Sequence, residues 1–356
     1  MNKAVFSCAG SRKTTIVVEE AIELYNAGKK IIILTYTITN KEELELRVVS
    51  KLGFIPKRIN IQTWLSFLVR ECIRPYQNII YNKKRIKGVN FVQGQSAIYA
   101  NESSIKGHFI TQNENLYSDK ISKFVNKCNK KGNGKIIKRL EQIADYIFID
   151  EVQDLASYDL DLVAMFFKSN IKTIVVGDVR QVVYTTHHAR RLRRFRKEKA
   201  IDFYKEAEKA GLCSIEERTD CFRSIQCLCD FADSVYPELP KTTSKYIGTS
   251  EHQGIFTIKR DRVLEYYEKY SPKVLRHSIR SNTMGLEGIN FGKCKGKTYE
   301  RVLIFPTKPI KDYLSSGDIS AITDRHKFYV SITRAKESIA FVYDENSALP
   351  FINEYK

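Results

Sequence analysis

No run of apolar residues in this chain reaches the ~18 that a membrane-crossing helix needs, and nothing near the N-terminus reads as a secretory leader. These absences exclude a membrane-spanning protein and predict a reduced, cytoplasmic one with no membrane partner. A disulfide framework is missing too: eight cysteines in 356 residues do not staple a chain of this length. Cys213, Cys221, Cys227 and Cys229 lie close in sequence but lack the paired C-x₂₋₄-C elements of a structural zinc site. They read as small buried hydrophobes. There is no internal repeat and no low-complexity tail. Negative charge is scarce, with 41 Asp and Glu against 59 Lys and Arg, a net +18. That imbalance suits a polyanionic partner, because each neutralised phosphate releases condensed counterions. A solubilising surface is the plainer reading.

What is present begins with alternation. Ala4-Val5-Phe6, Ile31 to Leu34, Tyr146 to Ile149 and Thr173 to Val176 read as buried strands. Lys13 to Ala27 reads as an amphipathic helix stopped by Gly28, and Lys41 to Leu52 as a second, stopped by Gly53. Strands alternating with helices predict an α/β fold with a parallel sheet covered on both faces. The Lys-rich stretch 83–138 interrupts that rhythm, and its segment Lys130 to Lys135 reads as a loop. A second basic run, Arg190 to Lys197, marks the expected boundary between a first lobe, 1–190 with an insertion at about 80–140, and a second, 191–356. Val302 to Phe305 and a helix-to-strand stretch, Ser331 to Tyr343, belong to the second.

Ser7-Cys8-Ala9-Gly10-Ser11-Arg12-Lys13-Thr14 follows a strand and opens a helix, the setting a phosphate loop needs. Backbone N–H groups at a helix N-terminus face phosphates. In that role Lys13 reaches the β- and γ-phosphates, and the Thr14 hydroxyl ligates Mg²⁺. Against G-x-x-x-x-G-K-[ST], Ser7 and Arg12 stand where the pattern has glycines. Phe148-Ile149-Asp150-Glu151 ends a buried strand with two adjacent carboxylates. Asp150 suits the Mg²⁺ shell and Glu151 the attacking water. A solvated strand end is the plainer reading.

Asp150-Glu151-Val152-Gln153-Asp154 resembles the D-E-x-Q-D box of UvrD/Rep-like superfamily 1 helicases. Further matches follow in family order. Gly177 to Tyr184 resembles G-D-x-x-Q-x-I-Y, and Phe222-Arg223-Ser224 the N-Y-R-S motif. Lys295 to Tyr299 resembles K-G-x-E-F, and Val330 to Ala335 resembles V-A-x-T-R-A. Thr35-Tyr36-Thr37 with Asn40-Lys41 is similar to T-x-T-N-K-A, and Thr63-Trp64 to the segment after the third strand. The resemblance implies two RecA-like parallel-sheet lobes, a P-loop NTPase fold with the ATP site in the cleft between them. It implies ATP and Mg²⁺ as cofactors. Gly10, Ser11, Arg12, Lys13, Thr14, Thr15 and Gly296 would bind ATP, and Thr14 and Asp150 the metal. Glu151, Gln181, Arg223 and Arg334 would be catalytic, the two arginines as fingers. Thr35, Tyr36, Thr63, Trp64 and Tyr184 would contact DNA, the aromatics by stacking. Ordinary core aromatics are the other reading of Trp64 and Tyr184.

The resemblance also implies an ATP-dependent translocase or helicase, moving 3′ to 5′ on single-stranded or partly duplex DNA. The basic stretches 83–87, 120–139 and 190–199 would hold phosphates. Thr186 stands where the family has a stacking aromatic, Thr298 where UvrD has Glu, and Gly292 where it has His. The chain starts a few residues before the phosphate loop, without room for the upstream glutamine motif. The family's large insertions are absent. This compact form resembles the helicase member of Gabija-type anti-phage helicase–nuclease pairs, which implies an OLD-type nuclease partner and a defence role. Two further readings stay open. One is an ATP-sensing, DNA-binding regulatory subunit slowed by Arg12. The other is a helicase acting on RNA.

Overall fold

The computed structural model describes residues 1–182, 191–195 and 199–356. The chain divides into two compact units. The first comprises Met1–Phe6 and Lys13–Glu217, and the second Ser7–Arg12 and Arg218–Lys356.

The strands of the first unit are β1 (Lys3–Ser7), β2 (Ile31–Thr35), β3 (Ile59–Thr63), β4 (Gly88–Asn90), β5 (Asn115–Tyr117), β6 (Tyr146–Ile149), β7 (Lys172–Gly177) and β8 (Ser214–Arg218). Six of them form one sheet in the order β3-β2-β6-β7-β1-β8. The pairs from β3 through to β1 are all parallel. Every residue of β2 is buried, as an uninterrupted apolar run requires when helices cover both faces. Helix α1 (Lys13–Asn26) supplies Val17, Val18 and Ala21 to that core, and α2 (Ile38–Leu52) supplies Leu44 and Val48. Helix α2 begins three residues before the expected Lys41. The Thr37 hydroxyl accepts the Asn40 N–H at 3.1 Å and so starts the helix at Ile38. Gly53, at φ 81, ends it.

The interruption expected at 80–140 has two parts. Its first part carries the small parallel pair β4–β5. Its second folds as α3 (Ile121–Lys131) and α4 (Lys135–Ile143), whose Phe124, Val125, Cys128, Ile136 and Leu140 are buried. The basic residues there stand on the outer faces of amphipathic helices. The segment read as a loop is only the turn between them, with Asn133 and Gly134 at φ 50 and 79.

The second unit has β9 (Asp220–Cys221), β10 (Thr243–Ser244), β11 (Gly254–Ile258), β12 (Lys273–Arg276), β13 (Gly288–Asn290), β14 (Tyr299–Ile304), β15 (Ala335–Val342) and β16 (Ile352–Glu354). Its six-stranded sheet runs β13-β12-β14-β15-β11-β16, again parallel throughout. Helix α5 (Arg325–Ile332) leads into β15, the helix-to-strand passage expected there. Both units therefore have a parallel α/β architecture, which the alternation predicts for the first and the resemblance implies for both. Among the described residues no helix is long and apolar enough to cross a membrane.

Candidate nucleotide site

In the first unit the sheet order sets the site. Strand β7 lies between β1 and β6. The residues after these three strands therefore stand side by side: Lys13 and Thr14 opening α1, Asp178 after β7, and Asp150 after β6. The Thr14 hydroxyl donates to Asp150 Oδ2 at 3.3 Å. Lys13 Nζ lies 3.9 Å from Asp178 Oδ2, which also accepts Gln181 Nε2 at 2.7 Å. Asp150 is 4% exposed. Burial, and then the neighbouring Glu151, push its carboxyl up to about 7, against the pull of the Glu151 N–H, Lys13 and Thr14. Thr14 Oγ1 and Asp150 Oδ2 are hard oxygen donors within one coordination sphere of each other, and they fit Mg²⁺. Thr15 is engaged elsewhere, its hydroxyl accepting Arg47 Nη1 at 2.9 Å.

Two residues that motif reading passes over tie this set together. Gln153 donates its amide N–H to Glu151 Oε2, and its amide oxygen accepts the Asp178 N–H at 3.1 Å. It thus joins the box after β6 to the motif after β7. Gly177 makes room for it: a Cβ there would meet Gln153 Oε1 at 2.5 Å and Val152 Cγ1 at 2.9 Å. Asp178 is the second, buried and bonded to both Lys13 and Gln181. Both residues stand in the quoted motifs. Their joining role was not legible because it depends on side chains from two strands meeting.

In the second unit, Ser7–Arg12 packs with Cys221–Arg223 and α5. The Phe222 N–H donates to the Gly10 carbonyl at 2.9 Å, and the Ala9 N–H to Tyr329 Oη at 3.4 Å. Gly10 is wedged tightly, since a Cβ there would lie 2.7 Å from both Arg223 Cβ and Cys221 Sγ. Arg12 holds φ 61, the left-handed backbone that favours glycine, with its guanidinium 4.2 Å over the Phe222 ring. The Ser11 hydroxyl is buried without a hydrogen-bond partner in the protein, which fits a loop that receives an oxyanion. Arg223 and Arg334 converge on Thr333. Arg223 Nη1 donates to its carbonyl at 3.0 Å and Arg334 Nη2 to its hydroxyl at 3.0 Å. Arg334, 1% exposed, also donates to the carbonyls of Val330 and Lys297 at 2.9 and 3.3 Å. Gly296, at φ 83, makes the turn that brings the Lys297 carbonyl there.

The residues expected at DNA divide. Tyr36 is half-buried after β2. Thr35 is 1% exposed and Thr63 8%, the latter capping the next helical turn through Ser66. Trp64 does not present a stacking face, contrary to expectation. It is 5% exposed, packs on Phe67 and Phe166, and donates its indole N–H to Asp159 Oδ1 at 2.8 Å. Its place is the core of the first unit. Tyr184 lies outside the described residues, as does part of the basic run 190–199. Of the four clustered cysteines, Cys213, Cys221 and Cys229 are buried and Cys227 is exposed. Cys221 and Cys229 join Cys8 in one apolar cluster, and among the described residues no group of three or more His, Cys, Asp and Glu side chains is gathered as a metal site.

A sequence model of the UvrD/REP helicase N-terminal domain matches residues 94–200. No curated relative matches the chain by sequence. Similar solved structures include the PRRSV helicase, 12% identical with a TM-score of 0.49, covering 96% of this chain and 52% of that one. They also include arterivirus nonstructural protein 10, a helicase solved in complex with DNA. It is 13% identical with a TM-score of 0.50, covering 96% of this chain and 60% of that one. This chain thus spans a little over half the length of the structures it matches. With the two parallel sheets, the likeness to the arterivirus protein makes the fold RecA-like and two-lobed.

Proposed function

We propose that the chain is a nucleic-acid-dependent ATPase of the UvrD-like helicase type, translocating 3′ to 5′ along single-stranded DNA. The observation that carries this reading is the connected set in the first unit: Lys13 with Asp178 and Gln181, and Thr14 with Asp150 beside Glu151. A phosphoryl-transfer site needs these parts, and a plain nucleotide-binding fold does not need all of them. The family match over residues 94–200 supports it by covering the D-E-x-Q-D box and its neighbour motif.

In this proposal Gly10, Ser11, Arg12 and Gly296 line the nucleotide, Thr15 does so through its backbone while Arg47 holds its hydroxyl, and Lys13 bonds the terminal phosphates. Thr14 and Asp150 hold Mg²⁺, which when bound neutralises charge on the β- and γ-oxygens. Glu151 orients the attacking water and accepts its proton. Gln153 holds Glu151 in place. Gln181 reports the terminal phosphate to the nucleic-acid side. Arg223 and Arg334 stabilise the negative charge that develops in transfer, and their shared anchor on Thr333 makes them act together.

A second reading has one observation in its favour. Arg12 occupies a glycine conformation and stacks on Phe222, which suits a loop tuned for binding with slow turnover. In that reading the chain senses ATP and DNA and gates a nuclease partner, of the OLD type the resemblance implies. The variant Glu151→Gln separates the two. For a motor, it keeps nucleotide affinity within about three-fold and loses about 10²-fold or more in turnover. Turnover equal in parent and variant sinks the motor and favours the sensor.

A further inference from the structure

Residues 82–100 of the first unit form an excursion before and after β4 with an unusual balance. Lys83, Lys84, Arg85 and Lys87 are all exposed, and the segment contains no Asp or Glu. The acids that follow it are engaged. Glu114 is buried against Lys106 at 2.8 Å and accepts the Tyr81 hydroxyl, and Glu102 pairs with Lys123 at 2.7 Å. On the same excursion two large rings face water: Phe91 is 73% exposed and Tyr99 100%.

These rings are not on a frayed strand end. Strand β4 is registered on β5 from Gly88↔Asn115 to Asn90↔Tyr117. Past Phe91, the Val92 N–H donates to Ser118 Oγ at 3.1 Å. Ser96 is clamped by Asp119 through its N–H at 3.0 Å and its hydroxyl at 2.6 Å. Lys120 Nζ reaches the Ala97 carbonyl at 3.4 Å, and an Ala100 N–H to Ala97 carbonyl bond of 3.2 Å closes a turn with Tyr99 inside it. A scaffold this well tied leaves two rings uncovered by the unit's own packing.

We propose that this excursion is a binding surface for single-stranded nucleic acid, separate from the residues after β2 and β3. Lys83, Lys84, Arg85 and Lys87 hold backbone phosphates, and Phe91 and Tyr99 stack bases. Cations alone would serve a duplex as well as a single strand. Exposed rings discriminate, because the faces of bases in a duplex are already stacked on one another, whereas unpaired bases offer them. The surface is indifferent to sequence, since every base has a π-face. The proposal rests on the reading of the chain as a nucleic-acid motor only in taking nucleic acid as the partner.

The test is fluorescence anisotropy of a labelled oligo-dT and of a blunt duplex, without nucleotide, across a salt series. For oligo-dT, F91A/Y99A weakens binding by about ten-fold or more, with the salt slope unchanged. Duplex binding is unmoved, and F91W/Y99W restores the parent affinity. K83Q/K84Q/R85Q/K87Q lowers the single-strand salt slope by about 3, four contacts at ~0.7 each. Parent-like binding of oligo-dT by F91A/Y99A overturns the proposal and leaves the motor reading standing. Equal losses on duplex and single strand overturn the stacking role. A parent protein that binds neither oligonucleotide at low salt overturns both this proposal and the motor reading.

Discussion

Arg12 is where residue-scale physics departs furthest from the motif. The phosphate-loop pattern has glycine there, and the structure keeps the glycine backbone, φ 61, under an arginine side chain. A non-glycine residue in that region costs on the order of 1 kcal/mol. Stacking on Phe222 at 4.2 Å returns about 0.5–1 kcal/mol. Two substitutions separate these effects. R12A keeps the strain and loses the stack, whereas R12G loses the stack and relieves the strain. R12G is therefore expected to be more stable than R12A by about 1 kcal/mol in urea unfolding. Equal stabilities would mean that the backbone there is not strained. The departure from glycine was plain in the sequence. The stack was not, because Arg12 and Phe222 are far apart in the chain and are brought together by the packing of Gly10 on Cys221 and Arg223 and by the bond from the Phe222 N–H to the Gly10 carbonyl.

At the scale of elements, strands β2, β6 and β7 were legible because both their faces are buried, which leaves an uninterrupted apolar run. Helix α2 was legible except for its start, which depends on the Thr37 hydroxyl finding the Asn40 N–H. Trp64 shows the limit of motif position. Its place beside Thr63 suggested a stacking platform, but its ring is committed to Asp159, which also accepts the Ser122 hydroxyl. W64F is expected to cost about 1–3 kcal/mol of stability by leaving that buried carboxylate a donor short. It should leave oligo-dT affinity unchanged. A loss of affinity without a loss of stability would return Trp64 to the nucleic-acid surface.

The second unit carries its own test at this scale. His252 is stacked between Phe256 and Tyr270, with centroids at 4.3 and 4.0 Å, and shares a 2.9 Å hydrogen bond with Tyr266 Oη. Burial, then Arg301 and Lys269, hold its imidazole down at about 4, against 6.5 for an ordinary histidine. The unfolded chain therefore takes up a proton below pH 6.5 that the folded unit resists until about pH 4. The stability His252 supports is present above pH 6.5 and is lost as pH falls toward 4. H252F removes that titration. Its urea midpoint should fall less than the parent's over this interval, and parallel pH profiles would show that the ring is not held neutral.

At the scale of the whole molecule, the architecture and the order of the motifs were both readable, because the motifs of the first unit follow parallel strands, whereas Lys295 to Tyr299 and Val330 to Ala335 lead into them. The excursion at 82–100 was readable only as positive charge. That its rings face water depends on β4–β5 pairing and on Asp119 clamping Ser96. The net charge of +18 fits a partner made of phosphates, but charge does not separate a motor from a passive binder. Turnover coupled to nucleic acid does. The decisive measurement is steady-state ATP hydrolysis with and without oligo-dT, with Glu151→Gln as the blank. The expected result is a rate raised at least ten-fold by oligo-dT and absent in the blank. A parent rate equal to the blank under both conditions, with nucleotide still bound, would contradict the account and leave a sensor in place of a motor.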